Sequence, residues 1–96
     1  APATPADGDV DPRLHYQLLS IAAEAARTCH WTKREFGARV LRRREELAEE
    51  MIARDMSDPG DLAVIRQRAR RIFRAEGCQS EAISDLVATI RTVETE

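Results

Sequence analysis

The sequence predicts an all-α protein: a four-helix up-down bundle, made of two antiparallel helical hairpins behind a flexible N-terminal segment. Three observations carry this expectation. Apolar residues recur at spacings of three and four in four separate segments, and no segment alternates apolar and polar residues as a strand does. Each segment opens on residues that start helices: Asp11-Pro12, Thr32, Asp58-Pro59 and Ser80. The connections between segments are short, which favours antiparallel neighbours.

Residues 1–10 read as an Ala/Pro linker or a mature N-terminus, too poor in large apolar residues to fold, and residues 11–96 as a single helical domain. The chain starts at Ala1 rather than Met, so two origins are open: a domain cut from a longer protein, or a processed exported protein. The first helix is expected from Asp11-Pro12, with Leu14, Leu18, Ile21, Ala22, Ala25 and Cys29 on one stripe.

The second helix has the fullest start signal. Thr32 is the expected cap and Glu35 completes a capping box, while Trp31 and Phe36 have the spacing of a hydrophobic staple. Loss of the Thr32 cap is expected to cost about 1 kcal/mol. This helix runs to about Asp55 and faces inward with Phe36, Val40, Leu47 and Met51. It is the longest, and is expected to overhang the fourth helix by about ten ångströms at ~1.5 Å per residue.

The third helix starts at Asp58-Pro59, buries Leu62, Ile65, Ala69, Ile72 and Phe73, and ends at Gly77. The fourth starts at Ser80 and carries Ile83, Leu86, Val87, Ile90 and Val93. The two halves share a plan of Asp-Pro, helix, Cys, Thr or Ser cap, and helix. Repeated use of one cap chemistry explains this more simply than duplication.

Composition narrows the function. At 96 residues and 43% hydrophobic, the chain has the size and core of one domain. No apolar run nears the ~20 residues of a membrane span, and no signal-peptide core is present. Its 15 basic and 17 acidic residues cancel to −2, which excludes a uniformly basic nucleic-acid binder. The basic set is 14 Arg to one Lys, a ratio that fits codon bias in a GC-rich bacterial genome.

Charge is unevenly placed. Residues 27–44 and 66–85 together carry +8 and the rest −10. Antiparallel packing of helices two and three brings Arg39, Arg42, Arg43 and Arg44 to the same end as Arg66, Arg70 and Arg74. This is the expected basic pole, with Arg42, Arg43, Arg70 and Arg74 steering an anionic partner. Solvated faces with local pairs, such as Arg42 with Glu46 and Glu50 with Arg54, are the plainer reading of the same residues. Arg44 falls inside the apolar stripe of helix two. Its stem is expected along the core edge with its head in water, the alternative being a ligand anion in the core.

Cys29 and Cys78 belong to turns at one end of the bundle. A disulfide and a pair of reduced thiols are both open, and the choice sets the compartment: cytoplasmic by default, exported if the two are bonded. Cys29, His30 and Cys78 make three ligands where structural zinc takes four, so no metal or other cofactor is expected.

No Ser-His-Asp or Cys-His-Asn set, Glu-x-x-His pair or glycine-rich phosphate loop is present. The reading taken is a non-enzymatic binding or assembly module. It acts through the basic pole on the helix two–helix three hairpin, by self-association or on an acidic protein partner, with no small-molecule ligand. The alternatives are contact with a nucleic-acid phosphate backbone through the same pole, or a small all-helical, arginine-dependent enzyme of the dicarboxylate mutase type.

Overall fold

The computed structural model describes residues 11–95, with side chains described as far as Thr92. The expected linker at 1–10 and the Val93 side chain lie outside the described residues. The fold is all-helical: α1 (Pro12–Thr28), α2 (Arg34–Ala53), α3 (Pro59–Glu76) and α4 (Glu81–Thr95). No strand occurs among the described residues.

Three of the four starts follow local chemistry. The Asp11 carboxylate accepts from the Arg13 N–H at 3.0 Å, with Pro12 at the first helical position. The capping box is found at α3. Asp58 accepts from the Asp61 N–H at 2.8 Å, and the Asp61 carboxylate accepts from the Asp58 N–H at 3.3 Å. Ser80 accepts from the Ala82 N–H at 3.2 Å and donates to Glu76 at 2.7 Å, tying the two ends of the α3–α4 turn.

The start of α2 departs from expectation. Its cap position is Lys33, without a side-chain cap, and the Thr32–Glu35 capping box does not form. The Thr32 hydroxyl instead donates back to the carbonyls of Cys29 at 3.0 Å and Ala26 at 3.2 Å. The cause is the end of α1, whose last carbonyls lack helical partners and draw the nearest donor. With the cap moved to Lys33, Trp31 and Phe36 no longer have staple spacing. Trp31 is 43% exposed, and its indole N–H donates to the Cys78 carbonyl at 3.2 Å.

α2 ends at Ala53, close to the expected Asp55. Asp55 lies at φ +58, with its N–H on Ile52 and the Met56 N–H on Met51 at 2.8 Å. That is a Schellman stop with an aspartate in the left-handed position, where glycine carries no Cβ penalty. Asp55→Gly is expected to raise stability by roughly 0.5–1 kcal/mol in urea titration. A destabilised variant would show that the side chain holds the turn. Gly77, at φ +80, closes α3 as expected.

α1 is the centre of the packing. It lies against α2, α3 and α4, whereas α2 and α3 barely touch each other. A packed helix two–helix three hairpin is therefore not found, and these helices meet through α1. Of the expected α1 stripe, Ile21, Ala22, Ala25 and Cys29 are buried and Leu18 packs at the margin, but the buried surface is wider than that stripe. Leu14 is 49% exposed, while Tyr16, Leu19 and Ser20, left off the stripe, are buried. Alanines 22 and 25 give α1 a slim waist, and Gly37 brings α2 so close that a Cβ there would meet the Ala26 Cβ at 3.2 Å. The inward faces of the other helices hold as expected: Phe36, Val40, Leu47 and Met51; Leu62, Ile65, Ala69 and Phe73; Ile83, Val87 and Ile90. Ile72 and Leu86 pack at the margin.

The sulfurs of Cys29 and Cys78 are bonded to each other, joining the end of α1 to the α3–α4 turn. Both are thereby withdrawn from metal ligation.

Candidate functional site

A polar row runs along α1. Tyr16, Ser20 and Glu24, spaced by four, share one face of the helix. That face looks into the seam left open where α2 and α3 fail to meet, and each member receives an arginine. Arg66, from α3, donates to the Tyr16 hydroxyl at 2.7 Å. Arg44, from α2, donates to the Ser20 hydroxyl at 3.4 Å, and its guanidinium carbon lies 5.9 Å from the centre of the Tyr16 ring. Glu24 takes Arg27 at 3.0 Å and Arg70 at 3.7 Å.

The three positions differ in charge balance. Glu24 is 15% exposed and answers two arginines with one carboxylate. Tyr16 and Ser20, at 2% and 1% exposure, answer theirs with neutral hydroxyls. Among the described residues, neither Arg44 nor Arg66 has a carboxylate within ion-pair distance. Burial holds the Arg44 guanidinium below the usual arginine range and the like charge of Arg66 adds to this, while Tyr16, Glu24 and Glu45 pull the other way. No buried polar side chain among the described residues is left without a hydrogen bond, so the row is satisfied internally while remaining short of negative charge.

The sequence-predicted arginines divide into separate groups. Arg44, Arg66 and Arg70 come together over α1. Arg39, Arg42 and Arg43 line a shallow depression of about 260 Å³ with Glu46, which meets Arg43 at 3.7 Å. Arg74 is exposed on the last turn of α3. Arg54 pairs with Glu50 at 3.4 Å. A larger open depression, about 480 Å³, lies between the N-terminal parts of α1 and α3 and is lined by Asp11, Arg13, Leu14, Asp61, Val64 and Arg68.

The Arg44 stem lies at the core edge as expected, but its head settles on Tyr16 and Ser20. Tyr16, Ser20 and Glu24 were not foreseen. Their signal is the spacing of polar groups by four in a helix otherwise rich in Leu, Ile and Ala. Tyr16→Phe is expected to lose about 1–2 kcal/mol, because it removes the hydroxyl beneath Arg66 in a part-buried setting. An unchanged urea midpoint would mean that water replaces the tyrosine.

The described residues contain no group of three or more His, Cys, Asp or Glu side chains able to hold a metal ion, and no helix long and apolar enough to cross a membrane. No family model, curated protein or solved structure matches the chain.

Proposed function

We propose that the protein is a non-enzymatic helical binding module which docks an acidic protein segment along the seam between α2 and α3. The carrying observation is that Arg44 and Arg66 converge on Tyr16 with no carboxylate between them. Two part-buried cations on a neutral floor leave electrostatic attraction for an incoming anion. A surface that served solubility alone would have paired or dispersed them. Arg27 and Arg70, sharing Glu24, extend the positive strip toward the disulfide end.

The bundle is read as up-down-up-down. Two α1–α2 contacts support this, Ala26 with Gly37 and Ser20 with Arg44, which run in opposite directions along the two helices. The α1–α3 links run in the same direction: Arg13 with Ser57 ahead of α3, then Tyr16 with Arg66, Glu24 with Arg70, and Cys29 with Cys78 beyond α3. The disulfide favours an oxidising compartment, hence an exported location.

The test is direct titration of an oligoglutamate peptide into the full chain. The wild type is expected to bind saturably, and the double variant Arg66→Glu/Arg70→Glu to lose binding by more than about tenfold, since reversal replaces attraction by repulsion at two positions. Equal binding by the two proteins would overturn the proposal.

A further inference from the structure

We infer that Arg44 and Arg66 form a discrete oxyanion site, seating one carboxylate or one phosphate across their two guanidiniums above Tyr16 and Ser20. The inference rests on reading the seam as an anion-docking face, and it names the point where the anion is held. Both guanidiniums reach the same tyrosine, Arg66 through the hydroxyl at 2.7 Å and Arg44 over the ring at 5.9 Å. They come from different helices onto a third, so their separation is set by the packing of the bundle rather than by flexible loops.

Each is anchored by a neutral acceptor, which fixes the head and leaves most of its N–H donors uncommitted. The Arg66 head is oriented by the buried phenol, and the Arg44 head by the buried serine and the tyrosine face. A planar fork held in this way suits the paired oxygens of a carboxylate or a phosphate, and a lysine in its place would present a single point charge. The adjacent carboxylate, Glu24, is already taken by Arg27 and Arg70. It does not fill the site.

The cation–π contact with Tyr16, at 5.9 Å from the ring centre, helps to hold the Arg44 guanidinium in place. Arg39, Arg42 and Arg74 have no such support, since no side-chain hydrogen bond to a buried acceptor fixes those heads among the described residues.

The test is titration of inorganic phosphate, and separately of an oligoglutamate peptide, into the full chain with its disulfide intact, followed at the arginine side-chain resonances by NMR. The expected result is saturable shifts at Arg44 and Arg66 with both probes. Arg44→Gln and Arg66→Gln are each expected to weaken binding by about tenfold or more, while Arg54→Gln leaves it unchanged. Arg44→Lys retains stem and charge and so guards against a folding defect. It is expected to melt like the wild type and still to weaken binding, because the fork is gone.

If phosphate saturates the site and the peptide does not, the site stands with a free small anion as its ligand, and docking of a protein segment is overturned. If the peptide binds while Arg44 and Arg66 stay silent, docking stands and the oxyanion site is overturned. Non-saturating shifts spread over all arginines would overturn the site as well.

Discussion

Reduction of the Cys29–Cys78 disulfide is expected to cost about 4 kcal/mol of stability. The value follows from loop length. The bonded residues are separated by 49 positions, and a cross-link that closes a loop of that size removes much of the freedom of the unfolded chain. The native placement of the bond matters too. It joins the end of α1, the helix shared by all the others, to the turn that delivers α4. Trp31 bonds to the Cys78 carbonyl beside it, so the two turns are held by a covalent and a polar tie together. At roughly 4–8 °C per kcal/mol for a domain of this size, melting is expected to fall by at least about 15 °C on reduction. Thermal melts with and without a phosphine reductant, and of the double variant Cys29→Ser/Cys78→Ser, should agree. A change of under about 3 °C would show that the bond does not constrain the folded chain.

Leu19→Ala is expected to cost about 3–5 kcal/mol, near the top of the range for buried leucines. Leu19 has no exposed surface, and it lies on the helix that carries most of the interhelix packing. A cavity at an edge helix shrinks when that helix shifts inward. At α1 a shift toward one neighbour opens a gap to another, so the lost contacts are not recovered. Leu14→Ala is the matched control. That residue is half exposed on the same helix, and its truncation is expected to stay within about 0.5 kcal/mol. Urea titration of the pair gives the contrast. Similar costs at both positions would contradict the central role of α1.

The parts of this fold legible in the sequence are those set by local chemistry. Asp11-Pro12, Asp58-Pro59, Ser80 and Gly77 each act within one turn of chain, and each bounds a helix where expected. Thr32 shows where that logic ends. Its hydroxyl turns back to the carbonyls that end α1, and α2 begins after Lys33 without a side-chain cap. The α1 stripe was incomplete for a tertiary reason. A pattern of apolar residues reports one buried face, and α1 packs against α2, α3 and α4, so the pattern does not include the buried Tyr16 and Ser20.

The candidate site was legible in the same partial way. Arg44 stood out because it interrupts an apolar stripe. Arg66 could not be told from the other arginines of α3, since what singles it out is a tyrosine 50 positions away. The even pole imagined from charge alone divides into a fixed group over α1 and looser ones on α2 and α3, because α2 and α3 do not pack together.

The central claim is that the seam over Tyr16 binds anions through charge held in place by the fold. The salt dependence of oligoglutamate binding tests it most directly, with the association constant followed from about 50 mM to about 500 mM sodium chloride, a span over which the screening length falls from roughly 14 to 4 Å. Binding is predicted to weaken steeply, by at least about tenfold, and Arg66→Glu to flatten the dependence. An association constant that does not change with salt would contradict it.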